Sequence, residues 1–299
     1  MRFLVTGVKG QLGFDVVKEL KSRGFNDVIE CDIAEMDITN RSEVEKVIVG
    51  SEPDVVVHCA AYTAVDNAED NEELARKINV EGTKNLADMT ELIGAKMIYI
   101  STDYVFDGTK PLGETYDVDD QVNPQSVYGK TKYEGELAAK ANPKHFIVRT
   151  SWVFGINGKN FIKTMLNQVG KREEVNVVAD QYGSPTYTKD LARLLVDMSL
   201  TEKYGTYHAN NEGYTNWADF TEEIYKVNDV KMKVNHITTE EYPTKATRPK
   251  NSCLSKDCLD RNNFDRLPTW IDALKRYSEE LKQYKLAEAK SLNLANKGE

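Results

Sequence analysis

The sequence predicts an α/β fold, a doubly wound parallel sheet with a smaller, less regular C-terminal lobe. Three observations carry that prediction. Short β-branched runs alternate with longer helix-patterned stretches through the first 150 residues. The runs are apolar at successive positions, as strands covered by helices on both faces must be. A glycine-rich turn joins the first run to the first amphipathic stretch. Right-handed crossovers then wind the sheet to either side of its first strand.

In chain order, strands are predicted over residues 2–6, 27–31, 54–58, 96–101 and 145–149, with helices over 11–23, 41–50, 69–93 and 126–141. Beyond residue 149 the pattern loosens. Helices over 160–169, 189–200, 217–228 and 268–282 are separated by loops containing Gly, Asn and Pro, and by short strands such as 174–178 and 206–209. Residues 1–150 thus read as one domain and residues 151–299 as a second lobe, parts of which return to the sheet. The polar end, residues 288–299, is expected to fray.

Composition narrows the function classes. The 299 residues carry a net charge of −9, which argues against a nucleic-acid or anionic-membrane binder. The longest apolar run, residues 55–61, is far too short to span a bilayer. Four cysteines, Cys31, Cys59, Cys253 and Cys258, are too sparse for a disulfide framework and lack the spacing of a zinc site. The start leaves no room for a signal-peptide core, so a cytoplasmic setting is expected.

The strongest local signal is Thr6-Gly7-Val8-Lys9-Gly10-Gln11-Leu12-Gly13, a G-x-x-G-x-x-G turn between strand and helix. Gly7 makes the turn, Gly10 lets the backbone approach a pyrophosphate, and Gly13 lets helix pack on strand. The helix N-terminus, with the N–H groups of Gln11 and Leu12, favours phosphate. This makes residues 1–150 a dinucleotide-binding, Rossmann-type domain. Asp32, at the end of the second strand, suits the adenosine ribose hydroxyls and repels a 2′-phosphate. The preferred cofactor is therefore NADH, with NADPH left open because Lys9 and Arg41 can offset the repulsion. Asp37 and Ile38 are candidates for the adenine edge. Cys59, Ala60 and Ala61 offer small side chains at the third strand's end, where a ribose can lie.

The chemistry is expected from Tyr128 and Lys132, four apart and so on one helix face. An ammonium beside a phenol lowers its pKa and makes it a usable general acid. Ser101-Thr102-Asp103 ends the fourth strand, where ligands gather in such sheets, and a hydroxyl there can orient a carbonyl. Asn79 is placed to hold a water or a backbone group near this relay.

Together these motifs resemble the extended short-chain dehydrogenase/reductase family, and within it the reductases of nucleotide-linked 4-keto-6-deoxysugars. The matching stretches are residues 7–13, 60–66, 101–106, 123–132, 149–154, 160–161, 180–186, 248–249 and 251–252. The resemblance implies a dTDP-sugar substrate, Tyr128 as general acid at the C4 oxygen, Lys132 on the cofactor ribose, and Thr102 at the carbonyl. It also implies that Thr63, Val65, Asp66, Thr102, Asp103, Tyr104 and Trp152 line the sugar pocket. Arg248 would take the diphosphate. Some family members bridge a dimer through metal-bound glutamates. Asp15 and Asp190 stand at those positions here, so a metal-independent monomer or weak homodimer is expected. A sugar-nucleotide epimerase or dehydratase shares fold and relay, although a dehydratase needs a second carboxylate where Tyr104 follows Asp103. A non-catalytic regulatory subunit is the remaining alternative.

Overall fold

The computed structural model describes residues 1–295; from residue 288 onward only Lys290 is described beyond its backbone. Six parallel strands form the main sheet: β1 (Phe3–Thr6), β2 (Val28–Cys31), β3 (Val55–His58), β4 (Lys96–Thr102), β5 (His145–Thr150) and, much later in the chain, an edge strand at Gly205–His208. Their order is β2-β1-β3-β4-β5 followed by that edge strand. The chain leaves β1 to one side for β2 and then returns to the other for β3. The switch point therefore falls between the C-terminal ends of β1 and β3, where ligands of such sheets bind.

Alternating side chains send each strand into two cores. Phe3 and Val5 pack with Val16 and Leu20 of α1 (Gln11–Ser22) and with Leu191 and Leu195. Leu4 points the other way, with Val44 and Ile48 of α2 (Arg41–Ser51) and Leu86.

The single helix expected over 69–93 is broken into four pieces. These are α3 (Val65–Asp70), α4 (Glu72–Arg76), a π-helical turn (Lys77–Gly82) and α5 (Thr83–Leu92). Such turns are local accommodations that recur at functional sites. Then come α6 (Val127–Ala139), β6 (Val153–Phe154), α7 (Phe161–Leu166), β7 (Glu174–Val178), β8 (Tyr182–Gly183) and β9 (Thr186–Tyr187). Helix α8 (Thr188–Ser199) packs on α1 and leads to the edge strand, β10 (Gly205–His208).

The second lobe is built from short pairings: β6 with β9, β8 with β11 (Thr215–Asn216), and β7 with β12 (Lys233–Ile237). Around them lie α9 (Trp217–Val227), α10 (Asp257–Arg261) and α11 (Trp270–Ala295). Its core is aromatic, with Phe154, Tyr187, Phe220 and Tyr277 all buried. The fraying expected from residue 288 is not observed as far as Ala295, because α11 continues to that residue. Residues 296–299 lie outside the described residues.

Candidate active site

Gly7 follows β1 with φ +69°, and a Cβ there would sit 2.8 Å from the Ala60 backbone nitrogen. A Cβ on Gly13 would meet the Gly7 carbonyl oxygen at 2.4 Å. Only glycine lets the turn fold so tightly against β3 and α1. Gly10 caps α1 without any side-chain cap, so the first N–H groups of the helix keep their donors for a ligand. The Asp32 carboxylate stands beside the turn, accepting from Lys9 N at 3.1 Å and Ile33 N at 2.9 Å.

Several expected cofactor contacts have other partners. The Gln11 amide oxygen accepts from Gly155 N (2.9 Å) and Asn160 Nδ2 (3.1 Å), which ties the turn to the second lobe. The Leu12 and Ile38 side chains are core residues, so only their backbone is available to a ligand. One oxygen of the Asp37 carboxylate, Oδ1, accepts from the Thr39 N–H and hydroxyl, both at 2.9 Å. Arg41, suggested as an offset to Asp32, is paired with Asp88 at 2.6 Å.

Cys59, Ala60 and Ala61 are half-buried at the end of β3. Burial pushes the Cys59 thiol up to about 12, so it behaves as a small apolar group. Beneath them runs a buried polar chain. Thr6 Oγ1 meets His58 Nδ1 at 2.8 Å, His58 Nε2 meets Thr83 Oγ1 at 3.2 Å, and Thr83 donates to the Asn79 carbonyl at 2.7 Å. Burial, with Lys132 nearby, lowers His58 to about 3 and keeps it neutral.

Asn79 sits in the π-helical turn. Its Oδ1 accepts from Tyr62 N at 2.8 Å, and its Nδ2 donates to Tyr62 O at 3.2 Å and Thr131 Oγ1 at 3.1 Å. It clamps the backbone of the loop after β3.

Ser126 caps α6 by accepting from Gly129 N at 3.1 Å, which puts Tyr128 in the first turn and Lys132 one turn on. A Cβ on Gly129 would lie 2.3 Å from the Tyr104 carbonyl oxygen, so glycine lets α6 close onto the end of β4. The Tyr128 phenol is thereby brought up to Thr102 at the end of β4. Thr102 bonds Asp103 Oδ1 at 2.9 Å.

The expectation of a cation-lowered phenol is not met. Burial holds the Tyr128 pKa well above its ordinary value, with Asp103 and Tyr104 adding to the rise and only Thr102 opposing it. The Lys132 ammonium instead lies over the Tyr99 ring, 4.2 Å from its centroid. Burial brings Lys132 down to about 7, against the pull of Glu136 and Cys59. The Tyr128 phenol therefore keeps its proton at neutral pH and is a weaker acid than a free tyrosine.

Glu136, one further turn along α6, was not anticipated. It is fully buried and makes a two-point ion pair with Arg149 of β5, both contacts at 2.8 Å. It also accepts from Ser101 Oγ at 2.6 Å. Ser101 therefore faces this pair while its neighbour Thr102 faces Tyr128. The four-residue spacing from Lys132 was the available signal.

On the substrate side, Asp103 is buried and raised to about 6 by that burial. Arg248 donates to Asp66 Oδ2 at 2.6 Å and to the Tyr104 hydroxyl at 3.1 Å, so three predicted residues converge. Thr63 is exposed on the loop that leads into α3, and Val65, the first residue of that helix, is half-buried. Trp152 is half-buried, with φ +48°, and stacks on Trp217. A cavity of about 320 Å³ opens beside Arg248, lined among others by Phe161, Val177, Gln181 and Trp217. No sequence spacing joins those residues. Asp190 is bound by Arg276 at 2.7 and 2.8 Å, and the Asp15 carboxylate accepts from the Thr188 hydroxyl.

A glycine turn at the switch point, with a Tyr-x-x-x-Lys helix against a strand-end threonine, defines a dinucleotide-dependent oxidoreductase of the extended short-chain dehydrogenase/reductase class. The sequence model of the family described as "RmlD substrate binding domain" matches residues 1–283, and the chain belongs to that family. It is 41% identical over 287 residues to the dTDP-4-dehydrorhamnose reductase of Aggregatibacter actinomycetemcomitans, covering 92% of this chain and 97% of the relative. The crystal structure of a dTDP-4-dehydrorhamnose reductase from Clostridium acetobutylicum superposes with a TM-score of 0.91 at 46% identity, covering 94% of this chain and 100% of that one. The Bacillus anthracis dTDP-4-dehydrorhamnose reductase, solved in complex with NADP, gives 0.90 at 42% identity, covering 93% and 99%.

Proposed function

We propose that the protein reduces the C4 carbonyl of dTDP-4-dehydro-L-rhamnose to the alcohol of dTDP-L-rhamnose. The observation that carries this reading is the placement of Tyr128 in the first turn of α6, against Thr102 at the ligand-binding end of the sheet and with Lys132 one turn on. The residues fit a dinucleotide: the tight Gly7 turn, the uncapped α1 N-terminus and the small side chains after β3 form a cradle that a Cβ would fill. When bound, NAD(P)H supplies the hydride to C4. Tyr128 gives its phenolic proton to the C4 oxygen, so carbonyl, hydride and proton balance as the secondary alcohol. Thr102 orients that oxygen, and Lys132, one turn along α6 over the Tyr99 ring, adds positive charge to the same end of the site. Arg248 meets the diphosphate through charge-assisted bonds, with Asp66 and Tyr104 releasing it.

Asp32 beside the turn supports NADH as the preferred donor, and the NADP complex of the Bacillus anthracis relative supports acceptance of NADPH. With Asp15 and Asp190 engaged inside the chain, a monomer or weak homodimer is the favoured state. Four unpaired cysteines suit a cytoplasmic enzyme, and no helix among the described residues is long and apolar enough to cross a membrane. The test is oxidation of NADH by purified protein given dTDP-4-dehydrorhamnose, with identification of the product sugar. Absence of dTDP-rhamnose with either dinucleotide would overturn the reading.

A further inference from the structure

Trp152 and Trp217 form the closest aromatic pair among the described residues, with ring centroids 3.6 Å apart and planes 12° from parallel. Near-eclipsed stacking is not what two free indoles prefer, since ring quadrupoles favour offset or edge-on contact. The surroundings impose it. Trp152 holds a left-handed backbone, φ +48°, which is strained for a bulky residue. Its carbonyl accepts from Thr186 N at 3.1 Å, and the preceding Ser151 hydroxyl donates to Ser184 O at 2.6 Å. Gly183 comes so close that a Cβ there would stand 2.8 and 2.9 Å from indole Cε2 and Nε1. Trp217 is the first residue of α9, whose cap Asn216 accepts from Asp219 N at 2.8 Å, so the helix start fixes where its ring stands. The same ring meets Phe161 at 4.6 Å and lines the cavity beside Arg248. Both indoles remain half-buried, unlike Phe220 of the adjoining core.

We infer that Trp217 is a positioning residue for the sugar nucleotide. It holds the strained Trp152 indole as a flat wall for the deoxysugar, and one stacked pair thereby borders both the sugar and the Arg248 cavity. This rests on the reductase reading above. A wall fixed in advance spares the ligand the ordering of a large side chain, so its loss appears in affinity more than in the chemical step.

The experiment compares wild type with Trp217→Leu and Trp217→Phe. In Trp217→Leu, KM for the sugar nucleotide is expected to rise roughly tenfold, with kcat within about threefold and KM for NADH unchanged. Trp217→Phe, which keeps a ring, is expected to recover most of that affinity. Both variants should lose the coupled-indole band in circular dichroism that a stacked tryptophan pair produces. An unchanged band shows that the stack does not exist in solution and overturns the inference. So does a lost band with unchanged sugar-nucleotide KM, or a fall in kcat alone. Should Trp217→Leu fail to fold, Trp217→Phe and Gly183→Ala carry the same comparison. Wild-type protein that oxidises no NADH rejects the reductase reading itself. The stack is then judged by dTDP-rhamnose binding, where equal affinity of wild type and variant overturns it.

Discussion

The glycine turn after β1 and the aromatic lobe around Trp152 build their parts of the site by opposite means. The turn works with main chain: at Gly7 and Gly13 the nearest obstacles are backbone atoms of Ala60 and of Gly7 itself, which cannot swing aside. The lobe works with side chains. Trp152 stacks on Trp217, whose ring meets Phe161, and Phe161, Trp217 and Arg248 line one cavity with side chains rather than main chain. A backbone-built site is therefore intolerant of a single added carbon, whereas a side-chain-built site tolerates change and trades it for selectivity.

Between the two stands the relay, and its loss is the largest effect expected. Tyr128→Phe should reduce turnover by roughly 10²-fold or more, the scale of a lost general acid, while NADH titration stays near wild type. Turnover at the wild-type level removes Tyr128 from the mechanism.

Gly7→Ala sharpens the contrast. The methyl group meets the Ala60 backbone at a positive φ, a strain on the order of 1–3 kcal/mol. NADH affinity should fall about tenfold or more, with a lower unfolding midpoint; a fluorescence titration matching wild type would show that the turn has more slack than its geometry implies.

A smaller effect concerns pH. Lys132 lies near 7 in the buried site, so its positive charge is lost as pH rises through that value. The kcat/KM for the sugar nucleotide should decline on the alkaline side of about 7, and Lys132→Met should flatten that limb. A wild-type profile level across roughly pH 6 to 9 counts against a role for the charged form.

Least of all, Asp32→Ala should raise the NADPH-to-NADH preference roughly threefold to tenfold, through removal of one carboxylate charge beside the glycine turn. An unchanged ratio in steady-state assays strips Asp32 of its discriminating role.

Much of the turn and relay was legible in the sequence because each is local. Gly7 to Gly13 and Tyr128 to Lys132 are spacings that one strand–helix junction or one helical turn converts directly into geometry. Side-chain direction was less legible. Gln11, Leu12 and Ile38 lie in the right segments, yet their side chains serve the second lobe or the core. The π-helical turn at Lys77–Gly82 was missed because what accompanies it is Asn79 clamping a loop, not any propensity of its own residues. The Glu136–Arg149 pair joins a helix to a strand, and the Trp152–Trp217 stack joins a loop to α9. Neither contact follows from local periodicity. The direction of the Tyr128 shift escaped too, because burial outweighs a cation whose nearest ring is Tyr99.

The sixth strand of the main sheet has a practical bearing on transplanting this nucleotide site into other proteins. β10 covers the edge of β5, and α8 covers Val16 and Leu20, although both elements lie beyond residue 187. A graft stopped at residue 150 would leave β5 as an open edge and α1 with a bare oily face, conditions that invite aggregation. The smallest portable module must run through His208, carrying much of the sugar lobe with it.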